Sequence, residues 1–155
     1  MAANAPEVQI LHDSGFQTAI KVTGYYTGAS TANVAILNPK TLAFANTQQT
    51  CTLRLTGVEY SVGTSGYVQL AWEGASSNTV IYTFPKTTAG VISGTVENTA
   101  TNPTGNLTLT TVAVAANEGY SFVISFDKVQ GFANAVNNAY GAPEAGITTR
   151  TLVDR

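Results

Sequence analysis

An antiparallel all-β sandwich, jelly-roll-like and built as a single domain, is the fold this sequence predicts. Three observations predict it. Apolar and polar residues alternate with period two in several short segments, the signature of half-buried strands. Thr, Val and Tyr are abundant and suit a pleated, half-buried surface. No stretch shows a sustained 3.6-residue repeat, and Gly, Pro, Asn and Ser punctuate the chain at the even spacing of short strands joined by turns.

The first alternating segment runs from Phe16 to Tyr26. Thr18, Ile20, Val22 and Tyr26 share one parity, and Gln17, Ala19, Lys21 and Thr23 take the other. Turn formers follow, and Val34 to Leu37, stopped by Asn38-Pro39, reads as a second strand. Thr41 to Gln49 reads as a loop. Cys51 to Val62 alternates strongly, but Leu53 and Leu55 are odd whereas Val58, Tyr60 and Val62 are even. The inward parity therefore switches, and a β-bulge at Thr56-Gly57 restores the register. The Gly63-Thr-Ser-Gly66 turn then leads to Tyr67–Glu73, in which Val68, Leu70 and Trp72 share a face. This pair of segments is expected to form a hairpin.

Val80, Tyr82 and Phe84 are expected on one face of a short strand that Pro85 ends, because proline cannot donate into a ladder. Val91 to Val96 is a further strand, interrupted by Gly94, and Asn98 to Asn106 reads as a polar loop. Leu107 to Val114 and Tyr120 to Lys128 are expected to close the fold as a hairpin. Tyr120, Phe122, Ile124 and Phe126 supply its richest inward face.

These elements divide the 155 residues into an N-terminal lead-in over 1–7, a β-sandwich domain over 8–129 and an extended C-terminal arm over 130–155. The arm loses the alternation and carries Gly131, Gly141, Pro143 and Gly146, so an isolated helix there is not expected. At 16.1 kDa the chain is long enough to bury one real core.

Composition narrows the function. Only 10% of residues are charged, against about 25% in ordinary soluble domains, and hydroxyl and amide side chains take their place. With a net charge of -2 and a mean hydropathy of +0.09, the surface carries little mutual repulsion and suits association with neighbours. One histidine and one cysteine leave little material for acid–base, nucleophilic or metal chemistry. His12-Asp13-Ser14 holds the residue types of a hydrolase triad. Adjacent strand residues point to opposite faces, however, so the run reads as a turn whose Asp or Ser side chain bonds local amides. No catalytic residue, metal ligand or cofactor is expected.

Cys51, alone, forms no intrachain disulfide. The seven Lys and Arg are spread singly, which gives no basic patch for nucleic acid. No secretory leader is visible after Met1, so cytoplasmic synthesis is expected, and the Asn106-Leu-Thr108 sequon reads as a turn. Apolar runs fall well short of a membrane-spanning helix. A sugar-stacking platform from Trp72 with Tyr60, Tyr67 and Tyr82 is weakened by parity, since Trp72 shares the face of Val68 and Leu70. Tyr67 and Tyr25 are the better contact candidates on the body of the fold, and Phe132, Tyr140 and Arg150 are those on the arm.

The segments Thr18-Ala-Ile-Lys-Val-Thr-Gly24, Leu55-Thr-Gly-Val-Glu-Tyr-Ser-Val62, Gln69-Leu-Ala-Trp-Glu73 and Gly105-Asn-Leu-Thr-Leu-Thr-Thr-Val112, followed by Tyr120 to Phe126, resemble small virion structural proteins of tailed bacteriophages. The resemblance spans roughly residues 12–128. It implies a non-enzymatic capsid decoration or cement subunit on the exterior of the phage head. Its partners would be the major capsid protein and neighbouring copies of itself in a homo-oligomer. A tail or collar subunit and a carbohydrate-binding or adhesion module are the alternatives. The arm departs from the compact pattern of these proteins.

Overall fold

The structure, a computed structural model, describes residues 6–25, 30–63, 65–112 and 118–133. Two antiparallel sheets pack face to face. One holds β1 (Glu7–Asp13), β2 (Gln17–Tyr25), β4 (Thr52–Val62), β7 (Thr88–Val96) and β9 (Gly119–Gln130). The other holds β3 (Thr31–Leu37), β5 (Tyr67–Gly74), β6 (Thr79–Phe84) and β8 (Pro103–Val112). The spatial orders are β1-β2-β9-β4-β7 and β3-β8-β5-β6. The all-β sandwich predicted from alternation is the fold observed.

Alternation becomes burial most clearly in β9, the middle strand of the larger sheet. Tyr120, Phe122, Ile124, Phe126 and Lys128 are all buried, while the residues between them are half-buried. The apolar members meet the other sheet: the Phe122 and Phe84 ring centroids lie 5.0 Å apart in an edge-on arrangement, and Trp72 lies 6.4 Å from Phe126. Full burial of an aliphatic or Phe side chain contributes about 1.5–3 kcal/mol, so this layer dominates the stability. Thr18, Ile20 and Val22 of β2 are buried as their parity predicts.

The bulge in β4 falls where the parity switch puts it. Pairing with both flanking strands skips from Leu55 to Gly57, opposite Val96 and Ser93 on β7 and opposite Phe126 and Ser125 on β9. Leu53, Leu55, Val58 and Val62 consequently all point inward and are buried.

Both expected long hairpins are corrected. β4 and β5 belong to different sheets, as do β8 and β9, so each connection crosses the sandwich instead of folding back beside its own strand. Alternation fixes which face of a strand is buried and not which sheet it joins, and a short turn can bridge the gap of about 10 Å between packed sheets. The two crossings are tied together at one end, where Glu118 Oε1 accepts from Ser65 N at 2.9 Å. Among the described residues the consecutive strand pairs within one sheet are β1–β2 and β5–β6.

Several boundaries and faces also shift. Glu7 belongs to β1 and not to a lead-in, and Gln130 belongs to β9. Val80 is exposed because the β5–β6 register slips between Leu70 and Ala71, which turns Ile81 toward the core in its place. β8 begins at Pro103, so Asn106, expected in a loop and turn, lies within a strand and donates its amide to Glu73 Oε1 at 2.9 Å.

β8 passes so close to the start of β4 that only glycine fits at residue 105. Gly105 has φ +93°, and a Cβ there would stand 2.1 Å from the Cys51 carbonyl oxygen. A left-handed conformation and a backbone clash would both be imposed. Gly105→Ala is therefore expected to lower the free energy of unfolding by more than about 2 kcal/mol. Gly57→Ala meets its nearest neighbour at an ordinary 3.5 Å and is expected to cost far less. Urea unfolding midpoints of the two variants check this difference.

Candidate association surface

Asp13, Ser14, Lys128 and Cys51 are engaged in structural contacts. Asp13 ends β1 and accepts from Lys128 Nζ at 2.6 Å and from the Ala43 amide at 2.8 Å. Ser14 Oγ accepts from the Gln17 amide at 3.2 Å, the local capping that the turn reading anticipates for this run. Among the described residues no group of three His, Cys, Asp or Glu side chains gathers to hold a metal ion.

Lys128 is the polar residue that sequence reasoning missed. It continues the inward parity of β9 one step beyond Phe126, and its side chain is wholly buried. Its three N–H donors are taken up by Asp13 Oδ1, the Ser14 carbonyl and the Ala43 carbonyl, and its ammonium stands 5.1 Å from the centre of the Phe132 ring. One cation thereby joins the β1–β2 turn, the loop after the 3-10 turn Pro39–Thr41 and the segment that follows β9. The parity of β9, extended through residue 128, was the available signal.

Cys51 is buried beneath the same segment, its thiol 3.4 Å from the Gly131 carbonyl. Burial pushes its pKa up, against smaller opposing effects of the Asn46 backbone hydrogen bond and the Lys40 charge. It is a packed thiol and not a nucleophile.

The sequence-derived contact residues separate. Tyr25 is exposed at the end of β2, and Tyr67 is half-buried at the start of β5. Phe132 is corrected: it is 1% exposed and packs in the core under Lys128, bridged through Ala45, so it offers no surface. The packed chain therefore continues through Ala133, beyond the expected start of the arm at residue 130. Tyr140 and Arg150, with the rest of the arm, lie outside the described residues. Trp72, 1% exposed, supports no stacking platform.

The exposed apolar residues are concentrated on strand edges. Val8, Ile10 and Leu11 are on β1, Val91 is on β7 and Val80 is on β6, with Phe16 and Phe44 near the Lys128 end. β1 and β7 are the two edges of the larger sheet. β7, Thr-Ala-Gly-Val-Ile-Ser-Gly-Thr-Val, has neither charge nor proline, the usual devices that keep an edge from pairing. Val91 is 67% exposed, and it lines an open groove of about 320 Å³ with Glu59, Ser61, Ser121 and Val123 on the outer face. This edge therefore presents an uncharged strand and an exposed valine at the surface.

Two mutations and one reagent test these assignments. Asp13→Ala leaves a buried ammonium without its counter-charge and is expected to cost about 3–5 kcal/mol, whereas Lys128→Met removes the charge itself and is expected to cost less. Calorimetric and urea unfolding check the order. Cys51 is expected to resist iodoacetamide in the folded protein at pH 8 and to react fully in denaturant, as read by intact mass.

No family model matches the chain, and no curated protein sequence matches it. Among solved structures, one described as Bacillus endospore appendages that form disulfide-linked pili is 14% identical. It covers 83% of this chain and 94% of its own, with a TM-score of 0.44. A cupin domain from Bordetella pertussis Tohama I is 9% identical over 83% of this chain and 98% of its own, with a TM-score of 0.36. A double-stranded β-helix domain protein from Klebsiella pneumoniae is 8% identical over 84% of each chain, with a TM-score of 0.31. Likenesses of this size carry no function to the chain.

Proposed function

We propose that the chain is a non-enzymatic virion structural protein, a capsid decoration or cement subunit on the exterior of a tailed-phage head. Its partners are the major capsid protein and neighbouring copies of itself. The observation that carries this reading is the β7 edge: nine uncharged residues with Val91 exposed, on a body in which only 10% of residues are charged. A neighbouring copy that adds a strand to β7 satisfies its outward backbone groups and covers Val91. The resemblance of the strand sequences to phage virion proteins supplies the capsid.

A subunit of this kind requires a stiff body and no reaction centre. The apolar layer between the sheets and the tied Lys128 end support that stiffness, and the Cys51 thiol and the Asp13 carboxylate are held in structural contacts. Trp72 lies in the core, which leaves Tyr25 and Tyr67 as the aromatics of the carbohydrate-binding alternative.

Purified protein added to heads that lack it tests the proposal. Saturable occupancy over the whole shell is expected. Val91→Lys places a charge on the pairing edge and is expected to reduce occupancy at least tenfold while leaving the unfolding midpoint within about 0.5 kcal/mol of the parent, as for other exposed sites. Label confined to a unique vertex or the tail would replace decoration with the tail or collar reading. Unchanged occupancy by the Val91→Lys variant would remove β7 from the interface.

A further inference from the structure

At the β7 edge the core ends unevenly. The inner face of β7 carries Gly90 and Ile92, opposite Tyr60 and Val58 of β4, and its outer face carries Ala89, Val91 and Ser93. Tyr60 and Ile92 pack against the core and are only partly buried, with the Tyr60 ring 4.6 Å from that of Phe84. A Cβ at Gly90 would stand 3.3 Å from the Tyr60 hydroxyl oxygen, so the ring lies over bare backbone. Among the described residues the core therefore stops at β7 in a gap at Gly90 beside a half-covered isoleucine.

Strand direction decides which element of a neighbour fits this edge. Each adjacent pair in the order β1-β2-β9-β4-β7 is antiparallel, so β1 and β7 run the same way. With the smaller sheets of two copies on the same side, a neighbour's β1 would meet β7 in parallel. A neighbour's β7 meets it antiparallel, the slightly more stable pairing. β7 carries no charge, so pairing with its own copy brings no like charges together.

We infer, resting on the reading that β7 receives a neighbouring copy, that the occupant is the neighbour's own β7. The two strands pair antiparallel about a two-fold axis normal to the sheet, with Val91 opposite Val91. Gly90 then faces Ile92 of the second copy, whose side chain fills the gap and covers Tyr60, and Ala89 faces Ser93. Such an axis keeps inner residues opposite inner ones, so the register changes only in steps of two residues. A step either way sets Gly90 against Gly90 or against Gly94 and leaves Tyr60 uncovered. Pairing over 89–93 also stays clear of the irregularity between Ser93 and Val96. The contact uses the same patch on both copies and closes as a dimer.

Charge exchange at the axis tests the pairing in the full chain. Val91→Lys and Val91→Glu each set like charges against each other in place of two valines, and each is expected to weaken dimerisation about tenfold, read by sedimentation up to the millimolar range. An equimolar mixture of the two variants is expected to dimerise several-fold more tightly than either alone. Ala89→Cys and Ser93→Cys check the register: oxidation is expected to link these variants to each other and neither to itself, because residues 89 of the two copies stand about 13 Å apart along the strand. The native Cys51 thiol is buried, and the parent chain serves as the control. A parent that stays monomeric, a mixture no tighter than its components, or self-linking of Ala89→Cys as efficient as mixed linking would overturn the inference. Pairing that passes these tests in a chain that does not bind heads would remove the capsid role and leave the interface standing. Head binding by a chain that fails them would do the reverse.

Discussion

Everything in this molecule depends on one apolar layer, in which the inward residues of β9 meet the inward residues of the opposite sheet. Phe122 against Phe84 and Phe126 against Trp72 join the two sheets at their centres. Because strand side chains alternate strictly, each residue placed in this layer fixes the orientation of its neighbours. The bulge at Thr56-Gly57 follows from this requirement, since without it Val58, Tyr60 and Val62 would point to water while Leu53 and Leu55 pointed inward. Lys128 stands where the layer reaches the end of the sandwich. A charge can occupy an inward position there because the loops around it supply a carboxylate and two carbonyls, which together take up all of its donors.

The layer also explains the surface. Among the described residues five strands face four, and the sheet edges carry apolar residues that the core leaves exposed. β1 and β7 differ in the chemistry they present. β1 continues buried rows and bears Glu7, while β7 is uncharged throughout. Several of the few titratable groups, Asp13, Lys128, Arg54 and Asp127 among them, are held in ion pairs, and the least protected features among the described residues are strand edges. The proposed place in a phage shell assigns a neighbouring copy to the β7 edge.

The sequence made the faces legible and left the sheets obscure. Alternation located β2, β4, β5 and β9, identified their buried sides and placed the bulge, because burial with period two is a local property written into each segment. Membership in one sheet or the other depends on long-range pairing, and connections of four and six residues serve equally for a hairpin and for a crossing. That is why the β4–β5 and β8–β9 connections differ from expectation. The register slip that turns Val80 outward is a second property of pairing that no single strand reveals. Of the candidate contacts, exposed Tyr25 and half-buried Tyr67 lie outside the fully packed core, whereas Phe132 is buried in it beneath the Lys128 ammonium. The ion pair between Lys128 and Asp13 joins residues 115 positions apart, and only the inward parity at 128 hinted at it.

The central claim is that this is an inert two-sheet body which works by joining its neighbours along the β7 edge. An electron cryomicroscopy map of the assembled particle tests this most directly. The account predicts density for a strand of an adjacent subunit continuing the sheet at Thr88–Val96, with Val91 covered. A map in which β7 faces solvent and the subunits meet elsewhere, or in which the chain is absent from the particle altogether, would contradict it.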